Sequence, residues 1–112
     1  MSKIIEISNT DEFLKLLSNK DKVVLLDFHA TWCRPCKNLG EYLHDLVDKS
    51  ENTKFNNIIF TKVDVDNNEC DDLVKKFNVG SIPRIIILKG VDILEDIEGY
   101  NPSELLKTLE KY

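Results

Sequence analysis

Glycine and proline are scarce in this chain, four and three residues out of 112. A collagen-like repeat and a proline-rich spacer are therefore excluded, and a charge content of 31%, mixed in sign, argues against long disordered tracts. A basic excess is missing too. Twenty acidic against fifteen basic residues leave a formal net charge of -5, which speaks against nucleic acid or an anionic membrane as a partner, because both need a basic footprint. No apolar run approaches the ~20 residues of a membrane span. The opening Met1-Ser2-Lys3-Ile4-Ile5-Glu6 meets the polar Ser8-Asn9-Thr10-Asp11 too soon to read as a signal peptide, so the expected compartment is the cytosol. Cysteine is sparse and odd in number. Three thiols cannot frame a disulfide-stapled secreted domain, so the fold must rest on an apolar core. A hydrophobic content of 42% suffices for one compact domain over residues 1–112, expected to be a monomer.

Apolar residues are present in two rhythms. Residues 4–7 form a short apolar run expected as a first strand, followed by Phe13, Leu14 and Leu17 at helical spacing after a polar start. Residues 23–28 are almost continuously apolar, as a strand covered on both faces reads. After Cys36, the residues Leu39, Tyr42, Leu43, Leu46 and Val47 mark the core face of a second helix. A strand over 58–65, a helix carrying Leu73, Val74 and Phe77, and an antiparallel hairpin of 85–88 and 93–97 around Lys89-Gly90 follow. Asn101-Pro102-Ser103-Glu104 supplies an N-cap, a proline and a capping-box acid for a last helix with Leu105, Leu106 and Leu109. The order β-α-β-α-β-α-β-β-α implies an α/β fold, a central mixed five-stranded sheet flanked by four helices.

Two of the three cysteines lie where such sheets place their chemistry, beyond the carboxyl end of a buried strand. Pro35 fits the first turn of the helix that follows, which puts Cys36 inside that turn and Cys33 just ahead of it. Unpaired backbone N–H groups and the helix dipole favour an anion there, and a thiol attacks a disulfide only as its thiolate. Lowering a thiol pKa from ~8.5 to ~7 raises the thiolate fraction at neutral pH roughly fifteen-fold, while the weaker nucleophilicity takes back about five-fold. The remaining advantage is positional: Cys36, one helical turn away, is placed to resolve a mixed disulfide formed by Cys33. Asp27, an acid inside the buried run, should have a raised pKa, as a poised proton acceptor has.

Leu26-Asp27-Phe28-His29-Ala30-Thr31-Trp32-Cys33-Arg34-Pro35-Cys36-Lys37 resembles the active-site segment of the thioredoxin family. Lys62-Val63-Asp64-Val65-Asp66, Ser81-Ile82-Pro83 and Gly99 follow in the family's order, so the likeness spans essentially the whole chain. The resemblance implies reduction of protein disulfides, recharging by a reductase, and no cofactor or metal. It implies Cys33 as nucleophile, Cys36 as buried resolving thiol, and Asp27, with Lys62 near it, as the acid that helps deprotonate Cys36. It further implies Pro83 in the cis form facing the disulfide, Ile82 offering backbone hydrogen bonds to an extended substrate, and Trp32, Arg34, Pro35, Pro83 and Gly99 near or on the docking surface.

Four positions depart from the family pattern: Arg34 replaces a glycine, His29 an aromatic, Gly40 a proline and Arg84 a threonine. Arg34 beside Cys33 should stabilise the thiolate and make the couple more oxidising. Arg34, Lys37 and Arg84 are expected to form a basic rim suited to acidic partner segments. His29 is read as a packing substitute in preference to an acid–base group, His44 as a helix-surface residue, and Cys70, among acids, as structural. A structural zinc site would need four ligands, and only His29, His44 or Cys70 are there to complete it. Two other functions compete with the reductase: a scaffold or chaperone-like binding module, and a thiol isomerase or oxidase.

Overall fold

The computed structural model describes residues 3–48 and 54–112. Its elements are β1 (Ile5–Glu6), α1 (Thr10–Leu17), β2 (Val23–His29), α2 (Arg34–Val47), β3 (Ile58–Asp64), α3 (Asp71–Lys76, entered through a short 3-10 turn), β4 (Arg84–Lys89), β5 (Asp92–Glu98) and α4 (Pro102–Leu109). The sheet order is β1-β3-β2-β4-β5. β1 and β2 both run parallel to β3, and the β2–β4 and β4–β5 pairs are antiparallel, so the sheet is mixed and β2 lies at its centre. That position explains the unbroken apolar text of β2, whose first six residues are all buried.

Successive residues of the strands serve opposite layers. Val23, Leu25, Ile58, Phe60, Ile85 and Ile87 face α2 and α4, packing with Leu39, Leu43, Val47, Leu105 and Leu109. Val24, Leu26, Phe28, Val63, Ile86 and Leu88 face the other way, toward Phe13 of α1 and Leu73 and Phe77 at α3. Each such large apolar side chain taken out of water contributes about 1.5–3 kcal/mol, so two layers of this kind hold the fold without any staple. The helix starts follow local rules. Asn9 and Asn101 cap α1 and α4, each accepting a backbone N–H three residues on, from Glu12 and Glu104.

Two expectations need correction. Leu14 was placed on the buried face of α1, but it is 50% exposed, and Leu16 and Leu17 make the inward contacts beside Phe13. A face of α1 that runs through Phe13, Leu16 and Leu17 turns position 14 outward, roughly 100° from its centre at a step of about 100° per residue. The first strand is also shorter than the apolar run of residues 4–7, because only Ile5 and Glu6 pair with β3.

Candidate active site

Cys33 is the N-cap of α2, a position usually held by Ser, Thr, Asp or Asn. Its sulfur accepts the Cys36 backbone N–H at 3.3 Å, and Pro35 sits in the first turn, where no N–H is needed. Cys33 and Cys36 are joined as a disulfide with their Cα atoms 5.2 Å apart. Both are nearly buried, at 7% and 4% exposure, and pack with Ala30, Val65 and Ile82. Opening the bond would leave the Cys33 sulfur among the free N–H groups of the helix start, the setting that favours a thiolate.

The loop before β4 supplies the opposing wall. The Ile82–Pro83 peptide bond is cis, a form that the family resemblance implied and the ordinary preference of X–Pro bonds did not. Ile82 places its carbonyl oxygen 4.0 Å from the Cys33 sulfur. A disulfide sulfur carries no hydrogen, so this is a packing contact in the oxidised protein. Gly99 donates its N–H to the Pro83 carbonyl at 2.9 Å from a left-handed backbone, φ 81°, which glycine adopts without steric cost. Pro83 itself is buried, whereas Trp32, Arg34, Pro35, Lys37 and Gly99 are exposed. Trp32, 70% exposed, is steadied by its indole N–H, which donates to Asp66 Oδ2 at 2.8 Å. Asp66 was not singled out from the sequence as the partner of Trp32, although it lies in the quoted segment after Lys62, where alternate residues share a face.

Behind the disulfide, the α2-facing side of the sheet changes character along its strands. β2 runs Val23, Leu25, Asp27, His29, and β3 runs Ile58, Phe60, Lys62, Asp64, so apolar side chains give way to ionisable ones near the carboxyl ends. The register pairs Asp27 with Lys62 and His29 with Asp64. Asp27 is 3% exposed and its Oδ1 has no hydrogen-bond partner. Burial pushes its carboxyl up to about 7, against the opposing pull of the Lys62 charge. The other buried polar side chains among the described residues, Thr61 and Thr108, donate to the Leu25 and Glu104 carbonyls, so Asp27 stands apart from them. A cleft of about 530 Å³ joins Asp27, Lys62 and His29 to Cys36 and opens between the sheet and α2, where Gly40 forms part of the wall. No neighbouring atom outside the helix lies within 4 Å of the place a Gly40 Cβ would take.

The expected basic rim loses one member. Arg84 is turned along the sheet: its Nε and one terminal nitrogen each donate to Asp96 at 2.8 Å, and the other donates to the Asn78 carbonyl at 3.0 Å. It ties β4 to β5 and to the turn after α3, leaving Arg34 and Lys37 as the exposed cations beside the disulfide. The hydrogen bonds from Arg84 hold the Asp96 carboxyl below the usual carboxylate range. The stabilisation is therefore present above pH ~4 and lost as pH falls through the folded pKa. Asp96→Asn is expected to cost about 1 kcal/mol or less at neutral pH, since Asp96 is exposed, and the cost should shrink as pH falls below ~4. Urea unfolding of both proteins from neutral pH downward measures the difference.

His44 pairs with Asp48 one turn along α2. Cys70 is fully buried in the opposite layer, donating to the Ile7 carbonyl at 3.4 Å. Burial and the nearby carboxylates push its thiol up, which suits an inert structural cysteine. Among the described residues, no three His, Cys, Asp or Glu side chains are gathered as a metal ion requires, and no helix is long and apolar enough to cross a membrane.

Residues 4–111 match the family model described as Thioredoxin. Thioredoxin of Coprinus comatus is 35% identical over 105 residues, covering 94% of this chain and 93% of that protein. Thioredoxin-T of Drosophila melanogaster is 34% identical over 97% of this chain, which spans 66% of that longer relative. The solved structure of Malassezia sympodialis thioredoxin shares the fold with a TM-score of 0.84 and 30% identity, over 99% of this chain and 91% of that one. Sequence, fold and the cysteine pair at the head of α2 agree, and the chain belongs to the thioredoxin family of thiol–disulfide oxidoreductases, its redox pair being Cys33 and Cys36.

Proposed function

We propose that the protein reduces disulfides in other proteins and is returned to its dithiol form by a thioredoxin reductase, in a reducing compartment such as the cytosol, as a monomer. The observation that carries this reading is the Cys33–Cys36 disulfide capping α2. In the forward reaction the Cys33 thiolate attacks one sulfur of a substrate disulfide. That S–S bond breaks, the first substrate thiolate leaves and takes a proton from water, and Cys33 is joined to the substrate. Cys36 then yields its proton to Asp27 and attacks the Cys33 sulfur. The second substrate thiolate departs, the Cys33–Cys36 bond closes, and two electrons have passed to the substrate.

The placement of the surrounding residues supports a role for each. Lys62 stabilises the ionised form of Asp27 and so keeps it able to accept a proton near neutrality. Trp32 offers an exposed aromatic platform, and Ile82 holds a backbone carbonyl beside the sulfur under attack. Arg34 and Lys37 favour acidic segments around the target disulfide. Insulin reduction by dithiothreitol, followed by turbidity, tests the function: strong acceleration by this protein supports it, and none overturns it. Arg34 adds a charge beside the reacting sulfur, so Arg34→Gly is expected to make the couple more reducing, by ~30 mV for each unit of thiol pKa the cation had removed. Equilibration with glutathione measures that potential, and an unchanged or less negative value would rule the effect out.

A further inference from the structure

Among the described residues, two buried side-chain polar atoms lack any hydrogen-bond partner, Asp27 Oδ1 and His29 Nε2, and both residues line the same cleft. They are two apart on β2, so their side chains lie on one face. An aromatic substitute kept only for packing would be expected to satisfy its buried nitrogen or expose it. His29 instead keeps that nitrogen buried and unpartnered while the rest of the ring reaches further out than Asp27: its side chain is 18% exposed, whereas Asp27 is 3% exposed. Its Nε2 is 4.0 Å from Glu6 Oε2, a separation too long for a direct hydrogen bond.

We infer that His29 relays protons between Asp27 and solvent through water in the cleft, so that Asp27 can accept the Cys36 proton even when it already carries one of its own. This inference rests on the proposed role of Asp27 as acceptor. The Cys36 proton moves to Asp27 as the proton already on Asp27 passes to His29 Nε2, and His29 releases a proton to solvent. The net change is one proton from Cys36 to water.

The charges around His29 fit a neutral imidazole that can accept. Burial and the Lys62 charge hold its pKa below the usual histidine value, against the pull of Asp64 and Glu6. From α2, the cleft also meets Lys37, Glu41 and His44. With Asp27 raised to about 7 and His29 held below its ordinary value, the shared proton rests on Asp27 and visits His29 only on its way to solvent.

Single-turnover reaction of the reduced protein with 5,5'-dithiobis(2-nitrobenzoate) tests the relay, since the first thionitrobenzoate released reports Cys33 and the second reports Cys36. His29→Ala should leave the first release unchanged. It should slow the second about ten-fold at about pH 6.5, less than the ~10²–10⁴ of a direct general base, and leave it unaltered at about pH 8.5, where Asp27 is already ionised. Added imidazole should restore the rate of His29→Ala but not of His29→Gln, whose side chain fills the space and cannot carry a proton. In an Asp27→Asn background, His29→Ala should add nothing. Equal slowing at every pH, no rescue, or additive slowing would each overturn the relay while leaving Asp27 as acceptor. An unchanged second release in Asp27→Asn alone would remove the acceptor role, and the relay with it.

Discussion

Cys33→Ser is expected to bring insulin reduction down to the rate of dithiothreitol alone, and Cys36→Ser to halt the reaction one step later, as a covalent protein–substrate adduct. A serine hydroxyl at the head of α2 would still accept the N–H of residue 36, so the helix keeps its cap and the fold is preserved. What is lost is the nucleophile, for a hydroxyl is not ionised near neutral pH and cannot form the mixed disulfide. With Cys36→Ser, attack by Cys33 proceeds but no resolving thiol lies within reach. Intact-mass measurement after incubation with a disulfide substrate distinguishes the two: no added mass on the first variant, and the mass of one substrate thiol on the second. Turnover by Cys33→Ser above the dithiothreitol rate would require another nucleophile. Cys70, buried in the opposite layer, is poorly placed to provide one.

Asp27→Asn is expected to leave stability nearly unaltered at about pH 4 and to raise it by several kcal/mol at about pH 8. The folded carboxyl has a pKa of about 7 against an ordinary 3.8, and at ~1.4 kcal/mol per unit that difference costs the folded protein at most about 4 kcal/mol once Asp27 is ionised. A raised folded pKa means that the protonated acid favours folding. The native protein is thus at full advantage below pH ~4, loses stability as pH rises from ~4 to ~7, and is flat with respect to this group above that. Asparagine has nearly the same shape and never ionises, so any fixed effect of its amide shifts the whole curve and leaves the pH-dependent part to Asp27. Denaturant unfolding of the oxidised protein and the variant across this range makes the comparison. Parallel curves would mean that Asp27 is not held near neutrality. The same substitution should slow the Cys36 step, so a gain in stability accompanies a loss of chemistry at one residue.

Much of this architecture is legible in the chain because its signals are local. The caps of α1 and α4 each involve residues three apart, and the buried run of β2 states in six residues that both faces of that strand are covered. The cysteines are placed by the same logic, a strand ending and a helix beginning around Pro35. The features that sequence reading missed depend on long-range partners. Arg84 reads as an exposed cation until the hairpin brings Asp96 against it and α3 delivers the Asn78 carbonyl. Leu14 falls within an apolar helical pattern, and the rotation of α1 against α3 decides whether it is covered. Asp27 is conspicuous in sequence, but its unpaired oxygen, and the histidine that shares its cleft, depend on the register of β2 against β3 and on the distance to α2.

Gly40 gives that cleft a property none of its ionisable groups supplies. In the middle of a helix, glycine is about 1 kcal/mol worse than alanine, and there is room for a side chain at this position. The helix thus tolerates a weak residue at the wall through which Asp27 is reached. Position 40 thus leaves that stretch of the wall without a side chain, at a cost the helix bears although packing does not demand it.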